Sequence, residues 1–244
     1  MNRQNKHQEI IEYGLILLLT TALITVFLIL FHIFNLDIII QNNFFNFVTE
    51  KWVVDRDEII KKIIFYKIPK IIISLNILAF FALSIFSFKK KNHRFYKYRH
   101  QILLIFLGLS FIPMIAGNVK KFTNTYCPSQ LEIYGGNKPY IKIFDSYPTN
   151  FVQEKKGKCF PAGHVTSAFA FYILFFALKS YHQKIISFLL ATLFGWIIGL
   201  YQILKGAHFV SDTLITMLLS FLLACFITMF YRIIQLRKKK LYDQ

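Results

Sequence analysis

QILLIFLGLSFIPMIAGNVKK, residues 101–121, decides what kind of fold this chain can adopt. From Gln101 to Val119 no side chain carries a charge, and the run ends on Lys120 and Lys121. As a helix it would reach about 28 Å, close to the roughly 30 Å of a bilayer's hydrocarbon core. Outward from it, blocks of the same character recur at 13–34, 68–88, 164–179, 184–204 and 208–231. The expected architecture is all-α: one membrane domain, residues 1–244, built as a bundle of six transmembrane helices. The first block is too long for the apolar core of a secretion signal and no small-residue cleavage site follows it, so it reads as an uncleaved helix.

Composition points the same way. Hydrophobic residues make up 55% of the 244 and charged ones only 17%, which excludes a disordered chain and disfavours an ordinary soluble domain. The net charge of +17, from 29 Lys and Arg against 12 Asp and Glu, needs an explanation. Nucleic acid is set aside as a partner, because the basic stretches lack interleaved aromatics and no nucleotide-binding glycine pattern occurs. Membrane topology accounts for it instead. Lys89, Lys90, Lys91, Arg94, Lys97 and Arg99 stand between the second and third spans with no acid among them, and Arg232, Arg237, Lys238, Lys239 and Lys240 follow the sixth. Positive short connections stay in the cytoplasm, so both termini are expected inside and the long loop between the third and fourth spans outside. The first connection, with Phe44, Phe45, Phe47 and Trp52, reads either as an amphipathic segment at the interface or as a loop with scattered aromatics.

In so apolar a chain, ionisable residues at the ends of spans are the informative ones. Three groups stand out: Lys120 and Lys121 closing the third span, Pro161–His164 opening the fourth, and Lys205–His208 with Asp212 opening the sixth. The alternation of spans brings all three to the outer face. His208 and Asp212 are four apart, one helical turn, so the carboxylate would hold one ring nitrogen and aim the other outward as a nucleophile. His164, at a helix start beside Gly163, would act as general acid, and Lys120 would neutralise charge on the phosphoryl oxygens. Two histidines, a carboxylate and lysines form a phosphoryl-transfer site that calls for no metal and no cofactor. His32, inside the first span, is read as a packed or interhelical polar residue.

These residues resemble the blocks of the type 2 phosphatidic acid phosphatase family, membrane lipid phosphatases with six spans. The family's first block is a Lys followed, after six residues, by Arg-Pro; here Lys120 is followed by Cys127 and Pro128. Its second, Pro-Ser-Gly-His, is matched by Pro161, Ala162, Gly163 and His164; of its third, His208 and Asp212 remain, with Tyr201 and Gln202 in place of Ser-Arg. The resemblance covers Lys120 to Asp212 and implies that His208 is the phosphorylated nucleophile, His164 the general acid and Asp212 the residue orienting His208. Both family arginines are absent, and neither cysteine nor glutamine reproduces a guanidinium's two-point grip on phosphate. Lys205, Lys121 and Lys158 are the cations available to rebuild the phosphate site, and the intact histidines and aspartate favour a rebuilt pocket over a lost activity.

Cys127 and Cys159 both lie in the outer loop, each beside a block that must meet the other, and a bridge between them would close a loop of about 30 residues. Cys225 reads as a small apolar residue of the sixth span. The run Tyr134–Pro139 is turn-rich and suited to a lid. The expected function is a membrane lipid-phosphate phosphatase working at the outer face, with lipid A phosphate, phosphatidylglycerol phosphate or undecaprenyl diphosphate as substrate. A lipid-to-lipid phosphotransferase with the same site, or a non-catalytic lipid-phosphate-binding membrane protein, are the alternatives. The abundance of Ile, Lys, Asn and Phe suits an AT-rich bacterial genome, hence an inner-membrane setting with the site facing the periplasm.

Overall fold

The computed structural model describes residues 3–89, 94–143 and 145–242. Lys90 and Lys91 of the expected basic connection, and the side chains of Lys239 and Lys240, lie outside the described residues. The chain is mostly helical, as a backbone in hydrocarbon must be if its polar groups are to be satisfied within each segment. Helix α1 (Arg3–Phe34) ends where Asn35 turns left-handed, φ 51°, and α2 (Leu36–Gln41) follows at once. A two-residue hairpin, β1 (Phe45–Asn46) with β2 (Lys51–Trp52), leads to α3 (Ile59–Lys62). A π-helical turn, Ile63–Lys67, joins α3 to α4 (Ile68–Lys89). After α5 (Arg99–Thr123) the outer loop runs to α6 (Gly163–Phe169), which a 3-10 turn connects to α7 (Ile173–Ala177). Helices α8 (Tyr181–Leu204) and α9 (Val210–Tyr242) complete the chain.

Among the described residues five helices are long and apolar enough to cross a bilayer: Gln8–Phe34, Ile59–Lys89, Tyr96–Gln130, Tyr181–Leu204 and Val210–Lys238. The span expected at 164–179 is the exception. Gly163–Ala177 is a shorter, broken helical run, about 22 Å of rise, too short for the hydrocarbon core. It can be short because lipid does not surround it. Val165, Ala168, Phe169, Ala170 and Ile173 are all fully buried, packed among α5, α8 and α9. The outer surface of the bundle is the reverse: Leu18, Leu19, Leu75, Leu78, Leu189 and Leu193 are exposed, as a lipid-facing surface requires.

The first connection is neither an interfacial helix nor a loose loop. Phe45 pairs with Trp52 across the hairpin, their rings 4.9 Å apart, and Tyr134 closes over both at 5.3 and 5.1 Å. Tyr134 therefore belongs to a packed aromatic plug against the hairpin, and further along the same run Lys138 is bridged to Leu131. At the other end of the bundle Arg232 approaches Glu9 at 3.6 Å and His100 Nδ1 meets the Tyr231 hydroxyl at 2.8 Å.

Candidate active site

The three sequence blocks meet because the loops carrying them are bonded to one another. The Cys159 N–H donates to the Thr125 carbonyl (2.9 Å) and the Thr123 hydroxyl to the Phe160 carbonyl (2.5 Å), joining the end of α5 to the segment before α6. The Ala162 N–H donates to Thr216 Oγ1 (2.8 Å), joining that segment to α9. The Ser129 N–H donates to the Gly206 carbonyl (2.8 Å), closing the ring of contacts. Gly206 sits at φ 69° with Trp52 where a side chain would begin, so only glycine permits both the turn and the contact with the plug.

His208 precedes α9 by two residues and is not part of it, contrary to the helical placement expected from the four-residue spacing. The pairing survives for a different reason. Asp212 occupies the first turn of α9, and its Oδ2 reaches back to the Phe209 N–H (3.0 Å), the reciprocal bond of a helix cap. The same oxygen meets His208 Nδ1 at 3.0 Å, and both side chains are buried. A carboxylate can only accept, so Nδ1 carries the ring proton and Nε2 keeps its lone pair. The His164 ring centroid lies 6.2 Å from that of His208, the two rings edge-on to each other. Unlike His208, His164 is exposed.

The cations are disposed unequally. Lys120 Nζ donates to the Lys158 carbonyl (3.2 Å) and lies so close to Gly163 that a Cβ there would be 3.1 Å from it. Glycine at 163 leaves the ammonium room that a Cβ would crowd. Helix α6 has only seven residues, too few for a substantial dipole, so Lys120 and its neighbours must supply the positive field. Lys205 lies over the Tyr201 ring (4.4 Å) and the Tyr66 ring (5.9 Å). Burial, followed by the charges of Arg56 and Lys62, lowers Lys205 to about 8. Gln202 is buried, with Nε2 lacking a partner among the described residues, so the position of the family's second arginine points away from solvent. Lys121 and Lys158 do not join His164: they line a separate basic depression with Lys138, Lys155 and Lys156.

Cys127 and Cys159 form a disulfide, with Cα atoms 5.0 Å apart, in the place of the family's first arginine. Cys159 Sγ lies 3.3 Å from His208 Nδ1 and 3.4 Å from Asp212 Oδ2. The two sulfurs and an imidazole nitrogen gather within 4.8 Å, a set that as free thiolates would suit a metal ion. Joined to each other they offer none, and the bridge instead forms a wall behind the His208 and Asp212 pair. Cys225 is buried in α9.

Three neighbours of the site are absent from the expected set. Tyr66, from the π turn, packs its ring against His164 at 4.8 Å. Lys70, one turn on in α4, lines the same cavity as His164. Asp37, in α2, accepts the Ser211 hydroxyl (2.6 Å) and N–H (3.2 Å), holding the start of α9; burial and then the Asp212 carboxylate raise it to about 7. None has a local signal, since a tyrosine, a lysine and an aspartate at span ends are ordinary interface residues. His32 offers its carbonyl to Lys142 Nζ at 2.8 Å.

The family description that matches the chain is PAP2 superfamily, over residues 100–235. The chain belongs to this family. Membership in the PAP2 superfamily carries phosphatase-type chemistry on lipid phosphate in a membrane protein. No curated protein and no solved structure was found to match the chain.

Proposed function

We propose that this PAP2 protein is a lipid-phosphate phosphatase that works through a phosphohistidine at the outer face of the membrane. The observation that carries the reading is the pair of imidazoles at 6.2 Å with Asp212 bound to Nδ1 of one of them. His208 Nε2 attacks phosphorus; His164, which burial and then His208 and the nearby lysines lower to about 4 in the free protein, takes up a proton as the anionic phosphate enters and gives it to the lipid oxygen as that bond breaks. Water then attacks the phosphohistidine, His164 takes its proton back, and inorganic phosphate leaves. Asp212 stabilises the imidazolium that attack creates, while Lys120 and Lys205 balance charge on the non-bridging oxygens.

A lipid substrate is supported by the cavity beside His164. About 330 Å³ in volume, it runs between α4, α5 and α6 with Ile73, Ile77, Leu109 and Pro113 among its walls, suiting an acyl or prenyl tail. Lipid A phosphate, phosphatidylglycerol phosphate and undecaprenyl diphosphate are the substrates to try first. Phosphate release by purified protein from this panel is expected to fall by about 10²-fold or more in His164→Ala and to vanish in His208→Ala. Equal rates in all three proteins would overturn the mechanism. Transfer of phosphorus to a second lipid with no free phosphate would instead make it a phosphotransferase.

A further inference from the structure

Within the family segment both arginine positions are lost, so the site needs positive charge from elsewhere. Lys70 lies outside that segment, in the first turn of α4. It lines the cavity that holds His164 and is near enough to act electrostatically on the His164 ring, as Lys120 and Lys205 also are. Among the described residues no carboxylate lies within ion-pair distance of it. Lys70 is exposed at the mouth of this cavity, so its ammonium can meet an anionic group that enters beside His164.

The backbone before Lys70 is unusual. Ile63–Lys67 is a π-helical turn, rare overall and frequent at functional sites. It places Phe65 stacked on Tyr201 at 5.1 Å and Tyr66 edge-on to His164 at 4.8 Å. Lys205 in turn lies over both Tyr201 and Tyr66. One short segment thus seats the neighbours of His164 and delivers a further ammonium, four residues after Tyr66, to the same cavity.

We propose that Lys70 is a substrate-phosphate ligand, a cation brought from outside the family segment to take over part of the work of the missing arginines. Lys70 meets the non-bridging oxygens on the His164 side of the phosphoryl group, across from Lys120. The assignment rests on the phosphatase reading above and deepens it: the substrate must carry a phosphate at the head of the α4–α5 cavity with its tail below.

The test is steady-state kinetics on a short-chain phosphatidic acid in detergent, with inorganic phosphate as competing anion, for wild type, Lys70→Gln, Lys70→Arg and His208→Ala. Lys70→Gln is expected to raise KM, and the inhibition constant for inorganic phosphate, on the order of tenfold while kcat changes less. Lys70→Arg should restore both. Melting temperature in detergent, unchanged in Lys70→Gln, separates this from a lysine that merely anchors α4 at the interface. An unchanged KM in Lys70→Gln, or a loss of kcat that tracks a lowered melting temperature, overturns the assignment. If His208→Ala turns over like wild type, the parent reading fails as well; if it is dead while Lys70→Gln keeps its KM, only Lys70 falls.

Discussion

Under the proposed reading Lys205 stands in for a lost arginine, and the exchange has a cost. An arginine at 202 would stay charged at any working pH, whereas burial and the nearby Arg56 and Lys62 bring Lys205 down to about 8. The ammonium is therefore present below pH 8 and lost above it. Since kcat/KM reports the free enzyme, it is expected to decline through KM as pH rises past about 8, with kcat less affected. In Lys205→Arg the decline should disappear, because a guanidinium does not titrate there. A pH profile of kcat/KM for both proteins checks this; parallel alkaline limbs would remove Lys205 from the phosphate site. The motif positions His164, His208 and Asp212 stand out in the sequence from local spacing, and the structure brings the three together. Lys70 and Tyr66 do not stand out, because what distinguishes them is the cavity that α4 and α6 enclose together.

At the level of elements, α9 is held at its start by two carboxylates that oppose each other. Asp212 bonds the Phe209 amide from within, and Asp37 of α2 takes the Ser211 amide and hydroxyl from across the interface. Burial, and then Asp212, raise Asp37 to about 7, well above its ordinary range near ~4. In the folded protein Asp37 keeps its proton up to about pH 7, while in the unfolded chain it ionises from about pH 4. The folded state binds the extra proton between these values, so this contribution is complete below pH 4 and is lost as pH rises to about 7. Thermal unfolding in detergent is expected to show wild type losing melting temperature from pH 5 to pH 8 relative to Asp37→Asn, whose amide does not titrate. Curves that run parallel would show that Asp37 is not the group responsible. Long helices could be read from apolar runs alone, but the break at 170–172 could not: Gly163–Ala177 is as apolar as a span and differs only in being walled by other helices. The hairpin was equally hidden, since Phe45 and Trp52 gain their meaning from Tyr134 and Gly206, far away in sequence.

For the whole molecule, the arrangement of charge should decide which way the bundle faces. Arg94 and Lys97 lie in the short connection between α4 and α5, Arg99 opens α5, and Arg232 near the end of α9 shares that end with His100 and Glu9. Short basic connections resist translocation, whereas a loop as long as the one from Asn124 to Ala162 crosses with little regard to its lysines. Four of those lysines have an evident place: Lys138, Lys155, Lys156 and Lys158 line one depression with Lys121 of α5, beside Cys127, at the end of the bundle that carries the site. A disulfide at that end is typical of an oxidising compartment, an argument independent of charge for expecting the site outside. Val48, at the tip of the hairpin, is 93% exposed and Lys97 is exposed at the other end, so each can report its side. Native background is low because Cys127 and Cys159 are bonded and Cys225 is buried. In sealed right-side-out membrane vesicles an impermeant maleimide is expected to label Val48→Cys at once and Lys97→Cys only after the membrane is opened. The reverse pattern would put the two imidazoles in the cytoplasm and, with them, the substrate on the inner leaflet.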